Sequence, residues 1–478
     1  MIVKRVALFA SYDWSLRVAM AEFMNYLDPV IKWRRKEHKI QLTRILSKPI
    51  LCGQDLSKEA DFIVDRTTHW SEYYRNWGYQ AMNSGVQMVN NTYTFGNYNK
   101  HATYDIMARA MHPADRFPTT VLLPTFGPVT PYHYARERWE EEQDALKAHT
   151  KFGWDPERKY VDYEKVEKDM AEYDRYVRKG QKMRADFYPS DDFLRRTMEE
   201  VFKNKYPVFL KKCEGGGGSD VHKIDSLQEL YEKFDETGGR AFHLQEGILD
   251  YDDFIRCMAI GPQVLPMRFL PDKPLHEHYS PDKLEVDREL FTRLKNYVNF
   301  INSYHRWTYN SFEVLIRNNQ LHPIDFANGC PDSHFTSLHV HFPWLIVSLV
   351  KWLSFCAVTG LDLRMDMEHT KYLKVLNDPK KTALQKYQFC AKASEDYFQT
   401  KKFNDFCADN FPDINERMIA FYDEKFDEII EYAIEWSDFP TQEHGRFFDR
   451  YKQLMDTVFR PNAERYLTTV IYADEAGR

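Results

Sequence analysis

A run of four glycines between two strand-like segments constrains the fold of this chain more than any other feature. Residues 215–218 follow the apolar residues 208–210 and two lysines, Lys211 and Lys212, and they precede Val221–Ile224. Glycines adopt positive φ freely, so their N–H groups can converge on an anion while the lysines supply positive charge. A surface linker is the alternative. The position between two strands favours a glycine-tipped hairpin, and the spacing is not that of a P-loop.

Composition limits the partners of such a protein. The 478 residues carry a formal net charge of −7, with 43% hydrophobic and 15% aromatic residues. These values predict a folded protein of several domains rather than a disordered one. No basic cluster of the kind that neutralises a phosphate backbone occurs, so nucleic acid is not an expected partner. The seven cysteines are scattered and never spaced CxxC, which predicts reduced thiols, a cytoplasmic location and no zinc ribbon.

The beginning of the chain predicts a small open α/β domain. Residues 3–10 form an apolar run without a signal-peptide cleavage site, and they predict a buried strand followed by a helix. Further strands are predicted at residues 60–65 and 85–90, with the aromatic stretch 67–77 between them. Ligands bind at the carboxyl edge of such sheets, so this stretch is a candidate binding segment. Packing of an aromatic helix against the sheet is the alternative.

Later segments predict more paired strands. Residues 241–248 predict a strand that returns after the glycine run. Residues 256–260 and 263–269, joined by Gly-Pro, predict a hairpin. Residues 311–316 and 321–328, joined by Asn-Asn, predict two more consecutive strands.

This order of elements resembles the ATP-grasp superfamily, whose members mostly activate a carboxylate with ATP and join it to an amine. The resemblance covers about residues 1–343 and rests on motif order rather than on identity. It implies an α+β (α/β) fold with an N-terminal α/β domain, a helical insertion and a C-terminal helical extension. The implied domains are residues 1–92, residues 93–250 with the charged insertion at about 124–206, residues 251–343, and the extension 344–478.

The resemblance also implies a set of nucleotide-binding residues. The family's first lysine lies shortly after an Asn-ended strand, as Lys100 does, and its second lysine follows a proline by four residues, as Lys211 follows Pro207. Lys212 competes with Lys211, because consecutive strand residues face opposite sides. The linker that holds the adenine corresponds to residues 244–248. The implied set is Lys100, Lys211, Gly215, Gly216, Gly217, Gly218, Gln245, Glu246, Ile248 and, for the ribose, Asp253.

The family holds its metal ion on two consecutive strands. Glu313, Asp325 and Asn328 offer two carboxylates and an amide there, which suits Mg²⁺ or Mn²⁺. The alternative to a metal site is that Glu313 and Asp325 are strand carboxylates that face solvent and bind no ion. Asp325 lies three residues before Asn328, whereas the family has two. Because strand side chains alternate, both residues reach one ion only across a bulge or turn.

The arginine that the family places two residues before the first acid is absent. Ser311 stands at that position. Arg256, Arg268 or Arg317 is left to replace it, and the sequence does not choose among them.

The segment that follows Asn328 resembles the substrate loop of the D-alanine ligase branch. By that resemblance Ser337, or Thr336, holds a substrate carboxylate or phosphate. His334, His339 and His341 are candidate zinc ligands, and on a strand His339 and His341 would share one face. Because no cysteine or further acid completes tetrahedral ligation, the histidines are expected to bind a substrate or to support residues that do, rather than to bind zinc. The catalytic residues predicted in all are Arg268, Arg256 and Ser337.

The residues after 343 predict buried helices rather than a membrane span. Residues 343–359 are apolar and barely long enough to span a membrane, and Lys351 lies at their centre. A buried helix is expected instead, with no membrane partner. An apolar stripe at residues 418–430 is expected to lie in a helical core. A homo-oligomer would form through the insertion or through the extension.

The resemblance therefore implies an ADP-forming ligase. Its cofactors would be ATP and Mg²⁺ or Mn²⁺, and its partners a small carboxylic acid and an amine. A small-molecule kinase of the same superfamily is an alternative, and a non-catalytic nucleotide-binding or scaffold protein is another.

Overall fold

Two structural units make up the part of the chain that the structure describes. The structure, a computed structural model, describes residues 1–9, 14–69, 71–96, 98–125, 168, 171, 192–213, 220–237, 240–469 and 471–472. The first unit contains Met1–Tyr98, Ala102–Phe117 and Asp250–Arg478, and the second contains Asn99–His101 and Pro118–Leu249. The glycine run and most of the predicted insertion lie outside the described residues. The division into four domains stays a prediction.

A mostly parallel five-stranded sheet opens the first unit. Its strands are β1 (Ile2–Phe9), β2 (Val30–Trp33), β3 (Lys36–Thr43), β4 (Phe62–Asp65) and β5 (Gln87–Val89). They lie in the order β2-β3-β1-β4-β5, and only the edge strand β2 runs antiparallel to its neighbour. The all-buried strand β4 is typical of a sheet that is covered on both faces.

The described residues between 14 and 110 contain four helices. They are α1 (Trp14–Leu27), α2 (Glu72–Asn83), α3 (Thr92–Phe95) and α4 (Lys100–Ala110). Helix α2 occupies the aromatic stretch of the sequence. Ser71 caps it by accepting a hydrogen bond from the N–H of Tyr74, and Trp77 is fully buried against the sheet. The packing alternative therefore describes Trp77, whereas Tyr74 on the same helix lines a cavity at the edge of the sheet.

The hairpin of β2 and β3 was not predicted. Arg34 and Arg35 at its turn have φ of 49° and 61°, which are unusual values for residues other than glycine. His38 and Ile40 on β3 are both buried, two residues apart. This alternation is the signal that would have indicated the strand.

The second unit is built on a four-stranded antiparallel sheet. Its strands are β6 (Thr120–Leu122), β7 (Val208–Lys212), β8 (Val221–Ile224) and β9 (Phe242–Glu246), in the order β6-β9-β7-β8. Helices α5 (Phe193–Glu200) and α6 (Leu227–Asp235) contribute to its core. The antiparallel pairing of β7 with β8 confirms the predicted hairpin.

The first unit also contains a four-stranded antiparallel sheet and a separate pair of short strands. The strands in this part of the chain are β10 (Asp253–Ile260), β11 (Gln263–Arg268), β12 (Glu285–Val286), β13 (Tyr309–Arg317), β14 (Gln320–Asn328) and β15 (Ile471–Tyr472). Four of them form the sheet β11-β10-β13-β14, which confirms both predicted strand pairs, and β12 pairs with β15. One face of β10 contributes Ile255 and Cys257 to the same core as helix α7 (Arg288–His305).

The rest of the first unit is helical. The helices are α8 (Phe335–Leu338), α9 (Phe342–Thr359), α10 (His369–Leu376), α11 (Ala383–Phe398), α12 (Thr400–Asn410), α13 (Ile414–Glu435), α14 (His444–Leu454) and α15 (Ala463–Leu467). In the described part of the chain, Phe335–Thr359 is long and apolar enough to cross a membrane, but 89% of its apolar window is buried in the protein. It is a core helix, as predicted. Met418, Phe421 and Ile430 of the predicted stripe are also buried. The prediction of a mixed α/β chain is confirmed.

Replacing Gly261 with alanine should strongly destabilise the first unit. Gly261, in the turn between β10 and β11, has φ of +56°, and a Cβ there would lie 2.4 Å from Cε3 of Trp352. The left-handed backbone and the clash together should cost about 3 kcal/mol or more in the free energy of unfolding. Urea titration of Gly261→Ala measures this.

Gly445→Ala is the matched control. Gly445 lies in α14, and a Cβ added to it meets no atom within 4 Å. This variant should gain up to about 1 kcal/mol, because alanine favours a helix. Equal losses in the two variants would contradict the account.

Acid should destabilise the first unit through buried histidines. Burial lowers the pKa of His305 and His341 to about 3 and that of His339 to about 4. In the unfolded chain these rings titrate near ~6.5. As the pH falls from that value towards 4, the unfolded chain therefore binds protons that the folded chain does not, and stability is lost.

The variant His341→Gln isolates one of these rings. It should flatten the plot of unfolding free energy of the first unit against pH over this range. His222→Gln, on β8 of the second unit, is the control, because it leaves the buried histidines of the first unit in place. Asp65 acts in the opposite direction, because burial raises the pKa of its carboxyl group to about 6. Its contribution is common to both variants and cancels in the comparison. Equal slopes for His341→Gln and the wild type would contradict the prediction.

Candidate active site

A bulge in the ladder between β13 and β14 brings the three predicted metal ligands to one face. Ser311 lies opposite Asn328 and Glu313 lies opposite Asp325, so the three-residue step on β14 matches a two-residue step on β13. Directly opposed residues project from the same face of a sheet, and so do strand residues two apart. Glu313, Asp325 and Asn328 therefore share a face. The bulge resolves the odd spacing that the sequence presents.

Arg256 supplies the positive charge beside Glu313. The two residues are register partners on β10 and β13, and the guanidinium group donates a hydrogen bond to the Glu313 carboxylate. It also donates to the hydroxyl of Tyr279 at 3.3 Å and lies 4.2 Å from the centroid of the Phe269 ring. Burial opposes this charge, but the attraction of Glu313 and Tyr279 prevails and raises the pKa of Arg256.

The other candidate arginines have different surroundings. Arg268 donates from Nε to Oδ1 of Asp253 at 2.5 Å, and this hydrogen bond raises its pKa. Its register partner is Ile255, whose side chain faces away from that of Arg256. Asp253 and Arg268 therefore lie on the opposite face of the sheet from Glu313. Arg317 stands at the turn end of β13, paired with Gln320.

The histidine pair differs from its prediction. His339 and His341 lie in a single tight helical turn, not on a strand. Their Nε2 atoms donate to the backbone carbonyl oxygens of Tyr279 and Ser280, at 2.9 and 2.8 Å. The strand prediction is wrong because the apolar residues around the pair belong to the start of the buried helix α9. Ser337 is buried in α8, one turn earlier.

The donor set on the β13–β14 face fits a hard divalent cation. Among the described residues, no group of three or more His, Cys, Asp or Glu side chains is placed to hold a metal ion. A metal on this face would therefore need the Asn328 amide oxygen in addition to the two carboxylates. Mg²⁺ is commonly bound by one or two carboxylates with water and phosphate oxygens, so an all-oxygen set of this size is sufficient.

The segment after Asn328 is fixed by side chains that the sequence did not single out. Oδ1 of Asn90 accepts from the N–H groups of Thr308 and Tyr309 at 2.8 and 3.0 Å, and its Nδ2 donates to the carbonyl oxygen of Gly329 at 2.7 Å. The Arg66 guanidinium group likewise donates a hydrogen bond to the carbonyl oxygen of Pro331. These contacts join residues far apart in sequence, and no local pattern indicates them.

The predicted nucleotide residues of the second unit form a group of their own. Lys211 donates from Nζ to Oε1 of Gln245 at 3.0 Å, and Nε2 of Gln245 donates to Oγ1 of Thr120 at 2.9 Å. Lys212 instead lies 3.7 Å from a carboxylate oxygen of Asp220. These two contacts lie on opposite faces of the strand, as alternation of side chains along a strand requires.

Three other residues of the predicted nucleotide-binding set lie in the described part of the chain at the following positions. The Glu246 carboxylate accepts from the N–H of Thr119 at 3.2 Å, and Ile248 is buried. Lys100 is the first residue of α4.

A cysteine–histidine cluster adjoins Lys212 and was not predicted. Sγ of Cys213 lies 3.5 Å from the His243 ring nitrogens, and Nε2 of His243 is 3.0 Å from Nδ1 of His101. Cys213 and His243 are both buried. The three residues come from three separate segments, so no spacing in the sequence signals the cluster.

The comparisons with known proteins concern the fold. No protein-family model matches the chain, and no curated protein matches it. A D-alanine–D-alanine ligase from Bacillus anthracis, solved with ATP, aligns with a TM-score of 0.39 and 10% identity over 83% of this chain and 99% of its own. A RimK-domain ATP-grasp protein from Sphaerobacter thermophilus aligns with a TM-score of 0.39 and 14% identity over 69% and 92%.

A third solved structure is the ATP-grasp ligase PsnB complexed with a minimal precursor. It aligns with a TM-score of 0.39 and 11% identity over 70% of this chain and 92% of its own. Two of these three solved proteins are described as ligases and two as ATP-grasp proteins.

Proposed function

We propose that this protein is an ATP-dependent ligase of the ATP-grasp type. It would transfer the γ-phosphoryl group of ATP to a carboxylate and then join the resulting acyl group to an amine, releasing ADP and phosphate. The observation that carries the proposal is the bulged register that gathers Glu313, Asp325 and Asn328 on one face beside Arg256. Solvent-facing strand carboxylates would need no bulge and no buried arginine.

The acidic face holds the metal in this proposal. Mg²⁺ or Mn²⁺, when bound by Glu313, Asp325 and Asn328, neutralises charge on the phosphate oxygens. Arg256 takes the place of the family arginine missing at Ser311. Its guanidinium is held by Glu313 and Tyr279, so it presents a fixed positive charge that favours a transition state with negative charge on the phosphoryl oxygens.

The second unit contributes the nucleotide-binding residues. Lys211 brings positive charge to the phosphates, and Gln245 orients it, since Thr120 fixes the Gln245 amide. Lys100 adds a second positive charge, and residues 215–218 supply backbone N–H donors. Glu246 and Ile248 contact the adenine.

Ser337 binds the substrate carboxylate in this proposal. Asp253 and Arg268 are joined by a hydrogen bond on the face of the sheet opposite Glu313, so the proposal assigns neither residue to the site that holds the metal.

The bonds balance without a covalent protein intermediate. An oxygen of the substrate carboxylate attacks the γ-phosphorus, and the bond from that phosphorus to the bridging oxygen of ADP breaks. The amine nitrogen then attacks the acyl carbon, phosphate leaves with the shared oxygen, and the nitrogen loses a proton to water. The protein orients the reactants and neutralises charge throughout.

A ligase is favoured over a kinase because the chain has no basic cluster suited to a multiply phosphorylated acceptor. The scattered cysteines are all free thiols, which favours a cytoplasmic location. The partners would be a small carboxylic acid and an amine, without nucleic acid or membrane.

Product analysis tests the proposal. The protein is incubated with MgATP and a metabolite extract to find the acid that is consumed, and the pure acid is then tested with and without an amine or hydroxylamine. We expect ADP and phosphate in equal amounts only with the nucleophile, and a hydroxamate with hydroxylamine.

Each alternative has its own outcome in the same assay. A stable phosphorylated acceptor would establish a kinase. AMP with pyrophosphate would exclude the acyl phosphate. Tight ATP binding without turnover across a broad panel of acids would favour a scaffold.

A further inference from the structure

A cavity at the carboxyl edge of the first sheet is separate from the residues assigned above. It has a volume of about 400 Å³, within the range typical of small-molecule sites. Phe9 and Thr43 are the last residues of the parallel neighbours β1 and β3, and both line it. Helix α1 forms another wall. Carboxyl edges of this kind are where open α/β sheets bind ligands.

Among the described residues that line the cavity, positive charges outnumber negative ones. Arg17 and Arg44 line it, and Glu22 is the only acidic residue among the described residues that do. Within the described part of the chain, neither arginine forms an ion pair with a carboxylate. An arginine at a cavity without a carboxylate partner is available to an anion, and its planar group matches the two oxygens of a carboxylate.

Arg17 is held in place by aromatic stacking. Its guanidinium lies 4.4 Å from the centroid of the Trp14 ring, and Trp14 in turn packs on Trp436 with ring centroids 4.9 Å apart. Stacking on the face of Arg17 leaves the N–H groups at its edge for a ligand. This part of the cavity is therefore formed before a ligand binds, which lowers the entropic cost of binding.

The other walls are apolar, with one hydroxyl group lacking a partner. Tyr74 is tied by a 2.7 Å hydrogen bond between its hydroxyl and that of Ser47. Among the described residues, the buried Oγ1 atom of Thr43 has no hydrogen-bond partner. Such an atom is costly unless a ligand or water satisfies it. The apolar lining consists of Leu8, Phe9, Val18, Ala21, Leu42 and Ile45.

We propose that this cavity binds a small organic carboxylate with an apolar body. Arg17 and Arg44 pair with the carboxylate, Thr43 donates a hydrogen bond, and the ring or chain of the ligand lies against the apolar lining. The site is independent of the proposed ATP and metal residues, and it goes beyond the proposed ligase reaction.

Binding of phenylacetate to the full-length protein tests the proposal. Ligand-observed NMR and calorimetry at millimolar concentration compare phenylacetate with phenylacetamide, its uncharged analogue, and with phenyl phosphate. We expect phenylacetate to bind, and the amide to bind at least about tenfold more weakly. Arg17→Gln should weaken binding by a similar factor, and Ala21→Leu should weaken it by filling the cavity.

Arg446→Gln is the control, because this arginine is 83% exposed on α14. It should leave the affinity unchanged. Glu313→Gln should also leave it unchanged, which separates failure of this site from failure of the proposed function. Absence of phenylacetate binding, equal binding of the amide, tighter binding of phenyl phosphate, or insensitivity to both cavity variants would each overturn the proposal.

Discussion

Replacing Glu313 with glutamine is expected to lower kcat/KM for ATP turnover by roughly 100-fold or more and to raise the Mg²⁺ concentration needed for half-maximal activity. The substitution keeps the shape of the side chain but removes the charge that would bind the cation. Asp325→Asn should have the same effect, because the bulge places Asp325 directly opposite Glu313. Initial rates measured across a Mg²⁺ series report both quantities.

Glu313→Gln could also lower the rate by destabilising the fold, because Glu313 contacts Arg256. Neutralising Glu313 leaves a mostly buried guanidinium without its charged partner, and losing one member of such a pair is often destabilising by about 3–5 kcal/mol. Thermal unfolding must therefore be measured in parallel. Thermal unfolding of Asp325→Asn, measured in the same way, shows how much of its effect on the rate comes from lost stability.

Asp105→Asn is the matched control. Asp105 is an exposed carboxylate on α4 that pairs with Arg109. Its neutralisation should change neither the Mg²⁺ requirement nor the rate. If Asp325→Asn left the Mg²⁺ dependence unchanged, the residue would be structural, and Asn328 would act with Glu313 alone.

Lys211→Ala is expected to weaken ATP binding by about 10- to 100-fold and to abolish turnover. Hydrogen bonds from a charged donor contribute about 1.5–3 kcal/mol, and the Lys211 ammonium group donates one to Gln245 at 3.0 Å. In the proposed site this charge also faces the phosphates, so its removal should weaken ATP binding. Calorimetric titration with a non-hydrolysable ATP analogue gives the dissociation constant.

Lys212→Ala serves as the control for this prediction. Lys212 lies on the same strand but near Asp220, so its removal should change the ATP affinity little. Near-native affinity in Lys211→Ala together with a large loss in Lys212→Ala would reverse the assignment of the two lysines.

The sequence predicted those parts of the fold that local patterns encode. The hairpins β7–β8 and β10–β11 and the pair β13–β14 were indicated by alternation and by turn residues, because both strands and their turn lie within one short stretch. The need for a bulge between Asp325 and Asn328 also followed from the side-chain period of a strand.

Other features depend on long-range contacts that the sequence does not show. Arg256 and Glu313 are 57 residues apart, so the choice of Arg256 over Arg268 required the register of β10 against β13. His101, Cys213 and His243 meet only because a helix start and two strands come together. The helical turn at His339 and His341 was mistaken for a strand because a two-residue spacing cannot distinguish the two.

The most direct test of the proposed reaction follows the oxygen of the substrate acid. The acid that the protein consumes is labelled in its carboxylate with a heavy oxygen isotope and allowed to react with MgATP and the amine. If an acyl phosphate forms, the oxygen that attacked phosphorus leaves with it, and mass spectrometry should find one labelled oxygen in the released phosphate. Label in AMP, or unlabelled phosphate formed alongside the amide product, would contradict the account.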